Sequence, residues 1–227
     1  FVHEVDIMAH LSHENIARLI GFVEDLQQGK AWIVLSWEPN GNVSEFLATG
    51  QWEIPERISL IQDTFAGIEY LHTRQPPICH GDLKSVNVTG ASATEESVER
   101  AEIAVVVSGN RLTLTGPAWS LRWAAPEVAS GEQQSLASDI WATGWVCWEI
   151  MTNKVPFPEL NAEGSIILKV IQGEVPATHE DTQLSQIIRL CSLMTDCWVF
   201  DPQNRPKIAR CYNEVFWMVN NPLVEYR

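Results

Sequence analysis

The chain has 227 residues, 45% of them hydrophobic and 19% charged, which is enough to bury a core and an ordinary balance for one globular domain or slightly more. Its formal net charge of -14 argues against a nucleic acid or an anionic membrane surface as partner. No apolar run approaches the roughly 20 residues of a spanning helix, and five cysteines without a C-x-x-C pair predict a reduced, cytoplasmic protein rather than a metal-thiolate one.

The N-terminal stretch Phe1-Val2-His3-Glu4 has no initiator Met and no signal-peptide pattern, so the chain is expected to begin inside a domain. Phe1, Val5 and Met8 fall at i, i+4 and i+7, the period of a helix that closes over 10–13. Apolar stretches at 16–23 and 31–36, reversed at Gly29-Lys30, predict two strands. Pro39-Asn40-Gly41 is good turn chemistry, and Asn42 with Glu45 can cap a short helix carrying Val43, Phe46 and Leu47. Pro55 suits the first turn of a longer helix, whose Ile58, Ile61, Phe65, Ile68 and Leu71 form an apolar stripe ending at His72. Pro76-Pro77 breaks the helix.

Next comes His80-Gly81-Asp82-Leu83-Lys84-Ser85-Val86-Asn87. A carboxylate, an ammonium and an amide within six residues suit phosphoryl transfer, where a protein positions reactants and offsets charge more than it makes bonds. These residues resemble the H-R-D-x-K-x-x-N loop of protein kinases. They also resemble the H-G-D-L-x-x-x-N loop of small-molecule kinases such as aminoglycoside phosphotransferases, which Gly81 fits better.

Beyond Asn87 no hairpin and no D-F-G is recognisable. The chain reads Thr89-Gly90-Ala91-Ser92-Ala93-Thr94, and no Asp occurs from Leu83 to Ser138; Glu95, Glu96, Glu99 and Glu102 are carboxylates that could replace a metal ligand, although a run of glutamates is usually a solvated face. From Trp119 the pattern resumes. Ser120-Leu121-Arg122-Trp123-Ala124-Ala125-Pro126-Glu127 resembles the end of a kinase activation segment with its A-P-E, and Asp139-Ile140-Trp141-Ala142-Thr143-Gly144 matches D-x-W-x-x-G. The helix over 140–151 is apolar nearly all round, as a helix at a domain centre should be. Cys197-Trp198-Val199-Phe200-Asp201-Pro202-Gln203-Asn204-Arg205-Pro206 matches C-W-x-x-D-P-x-x-R-P.

These matches, in one order, identify the chain as similar to the protein-kinase domain of the tyrosine-kinase-like group, over 1–88 and 119–219 and from the helix called αC onward. A small-molecule kinase has none of the downstream motifs. The resemblance implies an α+β, protein-kinase-like fold, with a partial N-lobe at 1–35 (one helix, two or more strands) and a hinge and mainly helical C-lobe at 36–227. It also implies ATP and Mg²⁺ as cofactors and a protein as the second substrate. Asp82 would orient and deprotonate the acceptor, Lys84 steady the phosphate, and Asn87 bind one Mg²⁺. Leu35 would be the gatekeeper, with backbone groups of Ser36 and Glu38 facing the adenine edge. Glu4 matches the ion-pairing glutamate of αC, His80 and Asp139 are structural residues of their motifs, and Arg205 should meet Glu127. Lys84 favours Ser/Thr over Tyr as acceptor.

Against catalysis stand three gaps: no glycine loop, no strand lysine to pair with Glu4, and no D-F-G. The chain is therefore expected to be a kinase-domain fragment inactive by itself, the alternative being a pseudokinase that acts as a binding or scaffold module. For Thr89 to Asn110 the expectation is a reading-frame or splice-boundary error that replaced a normal hairpin, with true divergence as the competing account.

Overall fold

The structure, a computed structural model, describes residues 2–25, 27–37, 39–91, 100–103, 120–178 and 187–221, with backbone alone at 2–4, 90–91, 100 and 120. Helix α1 (Val2–Ala9) leads into an antiparallel hairpin of β1 (Leu19–Asp25) and β2 (Lys30–Leu35), in one register from Gly21 opposite Val34 to Asp25 opposite Lys30, with a shift between Leu19, opposite Leu35, and Gly21. Then follow α2 (Val43–Ala48), α3 (Ile54–His72), β3 (Val88–Ala91), β4 (Arg100–Ile103), α4 (Pro126–Ala129), α5 (Leu136–Thr152), α6 (Glu163–Ile171), α7 (Ile188–Cys197) and α8 (Ile208–Asn220).

The local signals explain these elements. Asn42 accepts from the amides of Ser44 and Glu45 while Glu45 reaches back to the Asn42 amide, so the orphan N–H groups at the start of α2 are satisfied. The α3 stripe Ile58, Ile61, Phe65, Ile68 and Leu71 is wholly buried. Thirteen of the seventeen residues of α5 are buried, with Trp141 and Trp145 among the largest side chains in the core. The helix starts ahead of the predicted 140 because the Ser135 hydroxyl caps it, accepting from the Ser138 amide, and it ends where Asn153 turns into the left-handed region at φ 56°. Among the described residues no helix is long and apolar enough to cross a membrane.

Two expectations need correcting. The first strand begins at Leu19, not at 16, because residues 15–17 pair elsewhere. The Ile103 amide donates to the Asn15 carbonyl at 2.9 Å, and the Ala17 amide to the Ile103 carbonyl at 2.9 Å. Ile16 thus lies beside β4 in a parallel bridge.

The second correction concerns the stretch after Asn87, where a hairpin does form. Strands β3 and β4 pair antiparallel, Val88 opposite Ile103 and Ala91 opposite Arg100, and Val88, Ala101 and Ile103 are fully buried. Four-residue strands with Gly90 and small side chains give almost no period to read, so the sequence hides them. Within Thr89 to Asn110, β4 places Ala101 and Ile103 in the core, as a native hairpin would. Residues 92–99 and 104–119, with Glu95, Glu96, Glu99 and the remainder of that expectation, lie outside the described residues.

Candidate active site

The catalytic-type loop runs from the end of α3 to β3, and α5 holds it from beneath. Asp139, on the first turn of α5, is fully buried. Its carboxylate accepts from the His80 amide at 2.8 Å and the Gly81 amide at 2.9 Å, and meets His72 Nε2 at 2.9 Å. Burial pushes the Asp139 carboxyl up, yet the hydrogen bond and charge of His72, the His80 ring and the Gly81 amide together hold it below the ordinary range. His80 is itself buried, and its Nδ1 accepts from the Asp82 amide at 3.2 Å. Cys79, the residue before it, is no nucleophile, since burial first and Asp139 second push its thiol far up.

The three residues expected to do chemistry are brought together. Lys84 Nζ lies 2.7 Å from Asp82 Oδ2, and Asn87 Nδ2 donates to the Asp82 carbonyl at 2.8 Å and to Oδ2 at 3.2 Å. The Asp82 side chain keeps about a quarter of its surface open, 26%, so an acceptor hydroxyl can reach it.

A second carboxylate braces the loop from the other end of α5. Glu149 accepts from Ser85 Oγ at 2.8 Å, the Ser85 amide at 3.3 Å and Trp123 Nε1 at 2.6 Å, so it ties the loop to the turn at 120–123. Burial pushes its carboxyl up to about 7, with the Trp123 and Ser85 hydrogen bonds acting in the opposite sense. Further along, Arg205 forms a two-pronged pair with Glu127 at 2.6 and 2.7 Å and also donates to the carbonyls of Val199, Ala137 and Phe200. That pair locks the segment entering α4 onto the loop before α8.

Other expected residues are placed less fully. Leu35 is half-buried at the end of β2, opposite Leu19. The Ser36 amide donates to the Arg18 carbonyl at 3.0 Å, so only the carbonyl of Ser36 remains to face an adenine. Glu38 and the side chain of Glu4 lie outside the described residues.

The fit to Mg²⁺ is incomplete. Asn87 commits its amide nitrogen to Asp82 and offers its oxygen, but one neutral oxygen beside one carboxylate is short of the oxygen set this ion requires. Among the described residues no group of three or more His, Cys, Asp or Glu side chains is placed to hold a metal.

Sequence reading passed over His72, Gln134 and Glu149. His72 reads as a helix end, and Gln134 belongs to none of the motifs. Glu149 did carry a signal: a lone carboxylate deep in an otherwise apolar helix must be matched by buried donors.

A helical body built on a buried central helix, with a His-x-Asp-x-Lys-x-x-Asn loop held on its first turn, defines a phosphotransferase of the protein-kinase type. The sequence pattern of the protein tyrosine and serine/threonine kinase family matches residues 1–215. The chain belongs to this family. It is 33% identical over 214 residues to the probable serine/threonine-protein kinase pats1 of Dictyostelium discoideum, covering 92% of this chain and 6% of that protein. Likewise it is 30% identical over 216 residues to the serine/threonine-protein kinase CTR1 of Arabidopsis thaliana (92% and 25%). To the serine/threonine-protein kinase STY17 of the same plant it is 28% identical over 228 residues (99% and 38%). The chain thus spans well under half the length of these relatives. The family as a whole uses ATP and Mg²⁺.

Proposed function

We propose that this chain is part of a Ser/Thr-type protein kinase domain, built to move the γ-phosphoryl of ATP onto a protein hydroxyl and catalytically incomplete as it stands. The observation that carries this reading is the joined set Asp82, Lys84 and Asn87, fixed on a loop that Asp139 and Glu149 brace from two points. Asp82 receives the acceptor hydroxyl and takes its proton as the new O–P bond forms. Lys84, held at 2.7 Å from Asp82, offsets charge on the transferred group and keeps the carboxylate turned toward the acceptor. Asn87 fixes the Asp82 carbonyl and carboxylate together. Leu35 and the backbone of Ser36 and Glu38 are the groups that the family resemblance assigns to the nucleotide. We divide the chain into a partial small lobe at 1–35 and a hinge with the helical lobe at 36–227. Five free thiols support a reducing, cytoplasmic setting.

A second reading, a pseudokinase that binds partners rather than transferring phosphate, is favoured by one feature. Hairpin β3–β4 is folded and packed, yet the chain continues as Ala104-Val105-Val106-Val107 where the family carries D-F-G. Loss of that aspartate by divergence removes the chief metal ligand while sparing the scaffold.

The test uses the complete parent protein. ATP is expected to raise its melting temperature with little further gain from Mg²⁺, and no labelled phosphate should reach Ser/Thr peptides. Replacing Val105, Val106 and Val107 by Asp, Phe and Gly should make both binding and transfer Mg²⁺-dependent. Rapid transfer by the unaltered protein would overturn the claim of incompleteness, and no response to ATP in either form would leave the binding-module reading.

A further inference from the structure

Residue 81 is held on both sides by groups outside its loop. Its amide donates to Asp139 Oδ1 at 2.9 Å. Its carbonyl accepts a hydrogen bond from Gln134 Nε2. Gly81 has φ 76°, in the left-handed region that favours glycine, and a Cβ there would overlap the Gln134 side-chain oxygen. The missing side chain at 81 and the glutamine at 134 therefore fit one another. Gln134 also borders a recess shared with Asp82, Leu83, Trp123, Val128 and Ser138, so it stands between the loop and the segment that ends at Trp123.

We propose that Gln134 is a positioning residue for the catalytic loop, clamping the Gly81 carbonyl so that Asp82 is held in place without any phosphorylated residue in the segment that leads to Trp123. This rests on reading 80–87 as the phosphoryl-transfer loop, although the clamp itself is testable without transfer. The physical case has three parts. Asp139 alone fixes only the amide side of residue 81, and a glycine at positive φ leaves the next peptide free to swing. A donor on the carbonyl removes that freedom immediately before Asp82. Finally, Gly81 supplies no cation that could recruit a phosphate at Thr113 or Thr115, so the loop depends on the amide of Gln134 instead.

The experiment compares the full chain with its Gln134→Glu and Gln134→Ala variants by amide exchange and by the carbonyl ¹³C resonance of Gly81. Gln134→Glu keeps the shape and removes the donor. Both variants are expected to shift the Gly81 carbonyl resonance and to speed exchange at 80–83 by about tenfold, as loss of one backbone-anchoring hydrogen bond implies. Exchange in α3 and α5 should stay unchanged. Gly81→Ala should loosen the same amides, and adding Gln134→Ala to it should cause less than the sum of the two effects, because they share one contact. A Thr113→Glu, Thr115→Glu double variant should leave the loop as it is. An unmoved carbonyl resonance in Gln134→Glu, or tightening of 80–83 by the Thr113 and Thr115 substitutions, would overturn the proposal. Failure to transfer phosphate would bear only on the functional reading.

Discussion

Glu149 sits among the apolar side chains of α5 with Ser85 and Trp123 as its donors, and its ionisation is coupled to folding. The ordinary value for a glutamate is 4.5, and burial raises this one to about 7. The folded chain therefore holds a proton that the unfolded chain has released. The stability linked to that proton is fully present below 4.5 and is lost as pH rises through about 7. Relative to Glu149→Gln, the unaltered chain should lose stability across this window with a slope of up to about 1.4 kcal/mol per pH unit, then run parallel above it. Urea unfolding of both proteins at pH 5.5 and pH 8 measures the difference. A stability gap between the two proteins that does not change with pH would contradict the buried, protonated Glu149. Asp139 behaves oppositely although it is equally buried. His72, His80 and the Gly81 amide outweigh desolvation there, so two carboxylates at opposite ends of one helix titrate in opposite senses.

Among the elements, β3–β4 was not disclosed by the sequence, while α2, α3 and α5 were legible. Asn42, Pro55 and the five-residue stripe of α3 act locally, through caps and a 3.6-residue period, so a reader of sequence sees them. The hairpin draws its definition from contacts distant in the chain. Gly67 of α3 leaves room where a Cβ would lie 2.7 Å from the Asn15 carbonyl oxygen and 2.8 Å from Ile103 Cδ1. The Ala101 amide donates to Asp63 Oδ2 at 2.9 Å, and Asn15 Nδ2 donates to the Ala101 carbonyl at 3.0 Å. Gly67→Ala, which by helix propensity alone would stabilise α3, should therefore destabilise the chain by about 1–3 kcal/mol through overpacking. It should also speed amide exchange at Ala17 and Ile103 ahead of the rest of the core. Stabilisation by Gly67→Ala would mean that β4 does not dock on α3 as described.

On the scale of the whole molecule, stability should be uneven. The helical body shares one core through α3, α5, α7 and α8, whereas β1–β2 forms, among the described residues, a sheet of two strands. Its Ile20, Phe22, Val23 and Trp32 are exposed, and a two-stranded sheet buries too little apolar surface to be stable by itself. Amide exchange of the isolated chain should therefore show β1 and β2 opening far below the free energy of global unfolding, with α3 and α5 the slowest to exchange. Protection in β1–β2 equal to that in α5 would show the sheet to be held as firmly as the core.

By itself the sequence determined the class of protein, because catalytic-loop, A-P-E, D-x-W-x-x-G and R-P residues are local words whose order survives without any coordinates. It also determined that α5 is central, since a helix apolar on every side has nowhere else to go. What tertiary structure decided were the partnerships across long separations: Asp139 with His72, His80 and Gly81, Glu149 with Ser85 and Trp123, Gln134 with Gly81, and β4 with residues 15–17. The reason is physical. A buried polar group must find a partner, but which donor stands within 3 Å of it depends on how helices and strands far apart in the chain pack, and no local pattern of residues encodes that distance.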